Sequence, residues 1–271
     1  LPYRIPDMTK DRENFWYLEL GGMQNTIDDT ETLRDELLRV AYGIWDFVKN
    51  DPENYDKNKN FGIDWIGILP GKRESRRYIG DHVMTQHDVR AKGRFNDVIA
   101  YGGWSMDDHH PGGLYTSEKP TIYHPAPSPF GIPYRCLYSK NIDNLFFAGR
   151  NISVTHAALS ATRVMATCAT LGQAVGTAAA IAIKGELSPS WIYEKKIGEL
   201  QQTLMDDDCY LPWKVREVPE LTKAAHLSAS EGNPETLRNG VDRPVDEEDN
   251  GWIGKVGSWI EYSFDKVEYI N

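Results

Sequence analysis

The stretch NLFFAGRNISVTHAALSATRVMATCATLGQAVGTAAAIAIK, residues 144–184, decides how this chain is read. Leu145, Phe146, Phe147 and Ala148 form a short apolar run, as a buried parallel strand does. Gly149, Arg150 and Asn151 interrupt it. An alanine-rich segment follows, predicted as one long helix from Thr155 or His156 to Lys184, with Gly185 as its stop. At 1.5 Å per residue such a helix is roughly 40 Å long. Glycine lets a ligand approach the backbone, and a helix start presents unpaired N–H groups with partial positive charge. A strand, a glycine turn and a helix in that order therefore suit an anion.

Downstream, Ser188 is placed as an N-cap with Pro189 in the first helical position, opening a second helix that carries Trp191, Ile192, Ile197, Leu200 and Leu204 and ends in Asp206-Asp207-Asp208. Beyond Leu211-Pro212 the character changes. From Lys223 the chain is polar and rich in turn residues, and it closes on SWIEYSFDKVEYI (258–270), which alternates like a β-strand. A domain boundary is expected at 215–225, with residues 223–271 as the start of a β-rich tail.

Upstream, a helix is predicted from Glu31 to Lys49, with Leu33, Leu37, Leu38, Ala41, Ile44, Trp45 and Val48 on one face and acids at its positive end. FWYLELGG (15–22) reads as a strand running into a glycine turn. FGIDWIGILP (61–70) and DVIAYGGW (97–104) read as strands, and Ser105–Pro133 as a long loop rich in Pro, Gly and His.

Bulk composition sets limits. The chain has 271 residues, 40% of them apolar, enough for one or two packed domains. A net charge of −10 repels phosphate backbones and argues against nucleic acid as a partner. Cys136, Cys168 and Cys209 are odd in number and far apart, which fits thiols packed inside rather than a disulfide framework or a metal site. The most apolar run, Leu171–Ile183, is read as too short for a bilayer span. Its GQAVG pattern is read as close helix packing.

Several side chains are candidates for chemistry. His156, at the predicted helix start, is placed to act as acid or base. Arg73, Arg76 and Arg77, in KRESRR (72–77), suit a substrate carboxylate or a phosphate, or else pair with Glu74 and Asp81 on a solvated face. Asp107, Asp108, His109 and His110 are adjacent, so they are expected to line a substrate cleft rather than to hold a metal.

Residues 145–180 resemble the second FAD motif of flavoenzymes of the glutathione-reductase type. Together with ELGG (19–22), the helix at Leu33, PGKRESRRYIGD (70–81) and YGGWSMDDHHPGG (101–113), they resemble an FAD-dependent oxidoreductase family of gut and environmental bacteria, over residues 10–212. The resemblance implies an α/β fold: a partial glutathione-reductase-like FAD-binding fold over residues 1–215 with a substrate lobe at 61–133. It implies FAD held at Gly149, Arg150, Asn151, Ser153, Thr155, His156 and Ala157, with His156 and Arg73 catalytic and Arg76, Arg77, His109 and His110 on the substrate. It also implies hydride transfer between FAD and a small organic molecule.

Two departures stand out. Arg150-Asn151 replace the acid that usually follows the motif glycine, and no G-x-G-x-x-G occurs in the 271 residues. With a start of Leu-Pro-Tyr and no leader, the chain is read as a fragment expected to hold FAD weakly alone. WIGKVGSWIEYSFDKVEYI (252–270) resembles the opening of a discoidin or galactose-binding-like β-sandwich, a module attached to secreted glycan-active proteins, and points to a sugar-derived substrate. Two other classes stay open on sequence alone: a carbohydrate-binding module, and a polysaccharide lyase working through His, Tyr and Arg without flavin.

Overall fold

The computed structural model describes residues 3–4, 15–243 and 250–270. The Leu-Pro start and the acidic run at 244–249 lie outside them. In chain order the elements are α1 (Thr30–Asn50), α2 (Tyr55–Asn58), α3 (Gln86–Arg90), β1 (Val98–Gly102), β2 (Met106–His109), β3 (Thr121–His124), β4 (Phe130–Pro133), α4 (His156–Thr162), α5 (Met165–Gly185), α6 (Pro189–Lys195), α7 (Ile197–Asp206), α8 (Glu220–Ala224), β5 (His226–Ala229) and β6 (Ile260–Ser263). Helix and strand are mixed, and the strands pair as three antiparallel ribbons: β1 with β4, β2 with β3, β5 with β6.

The chain divides into two compact units. The first comprises residues 1–77 and 105–125 and holds α1, α2, β2 and β3. The face of α1 bearing Leu37, Leu38 and Ala41 lines a groove with Ile66–Leu69, and of this helix only Val48 is buried outright. The strand predicted at 61–70 does not form. Trp65 and Leu69 are 81% and 87% exposed, because alternation without a partner strand leaves the backbone nothing to pair with. FWYLELGG is likewise irregular. Conversely, the predicted loop after Ser105 contains β2 and β3, in register His109 opposite Thr121.

The second unit comprises residues 78–104 and 126–271. Its core is β1 and β4 against α5, with α6 and α7 packed on α5. DVIAYGGW forms β1 as predicted. Leu145–Ala148 is no parallel strand. Phe146 makes a single antiparallel bridge to Tyr138, while the parallel bridge falls at Val154, against Met84. The buried Asp97 carboxylate takes Arg135 Nε at 2.9 Å and Nη2 at 3.1 Å, fixing the turn after β4 to the start of β1.

The long helix predicted from His156 is two helices. Val164 is extended (ψ 146°) and serves as N-cap of α5. It is β-branched and loses little by leaving a helix. The second predicted helix is also two, breaking at Lys196 (φ −131°) between α6 and α7. Ser188 does hold the N-cap position before Pro189, but its hydroxyl meets Ser190 Oγ instead of a backbone N–H.

One face of α5 is packed, through Leu171, Ala174, Ala178, Ile181 and Ala182. Gly172 and Gly176 point elsewhere, where an added Cβ would meet no atom within 4 Å. The GQAVG segment thus packs through Ala174 while its two glycines face outward. By length and composition alone, the 21 residues of α5 would suffice to cross a bilayer, contrary to the shorter span read from sequence.

Candidate functional site

The segment from Gly149 to Cys168 places the expected cofactor residues in the second unit. Gly149 has φ +95°, a conformation side chains rarely adopt, and a Cβ built there would find only Asn151 Oδ1 at 3.6 Å. The turn is open on that side. Arg150 is exposed, and the Asn151 carbonyl accepts from Tyr78 N at 2.9 Å. Ser153 is fully buried, its Cβ against Gly80, and its hydroxyl has no hydrogen-bond partner. Thr155 caps α4 by accepting from Ala158 N at 3.4 Å, which uses one of that helix's free donors. His156 is the exposed first residue of α4, and Ala157 is half-buried beside it.

Sequence reasoning missed the start of α5. No side chain caps this 21-residue helix, so the first amides, at Met165, Ala166 and Thr167, have no partner within it. Thr162 Oγ1 lies buried and unpartnered just before it. Burial raises the Cys168 thiol, against a smaller lowering by the Arg150 charge. An open positive-φ turn, a guanidinium and the free amides of a long helix are each suited to an anionic cofactor.

The expected substrate residues fall in the first unit. Asp107 and His109, two apart on β2, share one face. Glu19 Oε1 stands 2.5 Å from His109 Nδ1, and Asp107 Oδ2 stands 3.4 Å from the enclosed Nε2. Trp16 meets the imidazole edge-on at 5.5 Å between centroids, and Thr121 Oγ1 donates to Asp107 Oδ1. Arg73 Nη1 lies 3.5 Å from Glu19 Oε2. Of the other candidates, Arg77 pairs with Glu74 at 3.0 Å, Arg76 is exposed, and His110 Nδ1 accepts from Gly112 N. Asp81 takes the Tyr138 hydroxyl instead of an arginine. Glu19 was hidden in a presumed strand. Asp107 and His109 were singled out in sequence as adjacent polar residues, but the strand that puts them on one face was read as loop.

The family model for FAD dependent oxidoreductase matches residues 8–204. The chain belongs to this family. No curated protein and no solved structure matches it significantly. Membership makes the protein a flavin oxidoreductase in general terms and FAD its cofactor. The donors from Gly149 to Thr167 fit that cofactor: the open glycine turn leaves room, and the unpartnered Thr162 hydroxyl and α5 amides supply polar contacts an anionic group would use.

Proposed function

We propose that this chain supplies the ring-side half of an FAD site within a glutathione-reductase-like fold, in an enzyme that transfers hydride to or from a small organic substrate. The supporting observations are the open Gly149 turn and, 16 residues on in the same unit, the uncapped head of α5. Arg150 would pair with phosphate, and Asn151 would hydrogen-bond a ribityl hydroxyl. Ser153, Thr155 and Ala157 hold the chain between the turn and α4. His156, exposed at the head of α4, is positioned to exchange a proton with solvent or substrate. The amides at Met165–Thr167 favour negative charge, worth up to about 2 kcal/mol where partly buried. FAD, when bound, supplies the hydride-accepting ring. Arg73, Arg76, Arg77, His109 and His110 are proposed for the substrate side.

The tail, with β5 and β6 as one antiparallel pair, supports the reading of a β-rich, discoidin-like module beginning at 215–225, and with it a sugar-derived substrate. The test is a titration of the purified chain with FAD by flavin fluorescence. With no G-x-G-x-x-G, reversible binding weaker than ~1 µM is expected. A stoichiometric complex surviving dialysis would contradict the half-site assignment. His156→Ala should leave this affinity within about twofold while lowering the flavin's reduction potential. An unchanged potential would make His156 part of the cap alone.

A further inference from the structure

The first unit contains a polar chain that the flavin assignment does not use. Thr121 donates to Asp107, Asp107 faces His109 Nε2, and His109 Nδ1 faces Glu19. Glu19 in turn faces Arg73. Its backbone is pinned: the carbonyl accepts from Leu114 N at 2.8 Å, and a Cβ on Gly113 would come within 2.2 Å of that oxygen. Four segments distant in sequence are thus built around one guanidinium.

The distances decide what that guanidinium is for. Glu19 is 2.5 Å from the imidazole but 3.5 Å from Arg73. With Glu19 so close to Nδ1, that nitrogen carries the proton and donates, so Arg73 Nη1, 3.4 Å from the same atom, is a neighbour and not a partner. The carboxylate is committed to His109, and the Arg73 charge is only partly neutralised. Nε and Nη2 of Arg73 make no hydrogen bond among the described residues, and its side chain is 40% exposed. His109 and Asp107 are 16% and 11% exposed and cannot present a nitrogen or oxygen to a ligand as readily.

A guanidinium edge with two free N–H groups matches two oxygens of one anion. Glu19 and Asp107 place two negative charges within the cluster, which disfavours a dianion such as phosphate and tolerates a monoanion. We propose that Arg73 anchors a carboxylate of the substrate, and that Glu19, His109 and Asp107 are positioning residues that hold its guanidinium. The word substrate rests on the flavin oxidoreductase reading; carboxylate binding itself does not.

The test uses the full chain and three probes: acetate, its neutral counterpart acetamide, and inorganic phosphate. The readout is the Arg73 Nε–H and Trp16 indole N–H signals in nitrogen-15 NMR. Acetate should shift both saturably, acetamide neither, and phosphate should bind more weakly than acetate. Arg73→Gln should remove acetate binding, and Arg73→Lys, which keeps the charge and loses the fork, should weaken it by about tenfold. Glu19→Gln separates positioning from charge. Removal of a nearby negative charge alone would tighten acetate; loss of positioning weakens it severalfold and lets phosphate compete. Tighter acetate in Glu19→Gln, or unchanged binding in Arg73→Gln, overturns the proposal. FAD affinity, measured separately by fluorescence, tells its failure apart from failure of the flavin reading.

Discussion

The two units are held together by different physics. Among the described residues, the first contributes Val48 and Met106 to the buried apolar set, and every other member of that set lies in the second. The first unit is organised instead by charge: Arg73, Glu19, His109 and Asp107 in one connected cluster, with Tyr115 donating to Glu36 on α1. The second has β1, β4 and α5 around an apolar core, with few buried charges, of which Asp97 is matched to Arg135. Apolar burial is non-directional and cooperative, whereas a hydrogen-bonded charge network holds geometry but adds little net stability. The molecule thus separates a stable scaffold from a precisely placed polar surface.

That contrast is easiest to break by hydrogen exchange. Amides of β1 and α5 should exchange more slowly than those of α1 and β3, by on the order of a thousandfold. Equal protection in both units would mean that they unfold as one and that the contrast is empty. Mutation sharpens it. Asp97→Asn leaves the Arg135 guanidinium without its carboxylate and should cost about 3–5 kcal/mol in urea unfolding. Gly113→Ala, at φ +50° and against the Glu19 carbonyl, should cost about 1–3 kcal/mol, visible as faster exchange near Glu19 with the second unit unaffected.

How much of this was legible in sequence depended on whether the signal was local. Thr30–Asn50 declared itself by a helical stripe, β1 by its apolar run, and the family by the wording around Gly149. What failed depended on partners far along the chain. Residues 61–70 alternate like a strand, but nothing pairs with them. Phe146 looks like a parallel strand and bridges antiparallel to Tyr138. The break at Arg163-Val164 carries no Gly or Pro as a stop signal, so periodicity passed straight over it, and with it over the free amides of α5. Asp107 and His109 were candidates from sequence, but Glu19 became visible only once the fold brought β2 beside residues 16–19. Thr85 with Asp88 is a capping box that the sequence did carry and that went unread.

A smaller effect comes from pH. Burial pushes the Tyr134 hydroxyl upward, and burial together with its bond to Asp81 does the same for Tyr138. A folded pKa above the unfolded value of 10.0 gives stability that is complete below pH 10.0 and is lost as pH rises beyond it. The unfolding midpoint should therefore fall on the alkaline side of that value, and Tyr138→Phe should flatten the fall. A variant with the wild-type slope would show that Tyr138 ionises freely in the folded state.

The central claim is that the turn at Gly149 and the head of α5 hold the flavin. FAD titration of Gly149→Val beside the wild-type chain, with folding checked by circular dichroism, tests it most directly. A side chain there fills the open face and cannot adopt φ +95° without strain. The account predicts that the folded variant binds FAD at least about tenfold more weakly. Unchanged FAD affinity in the folded variant would contradict it.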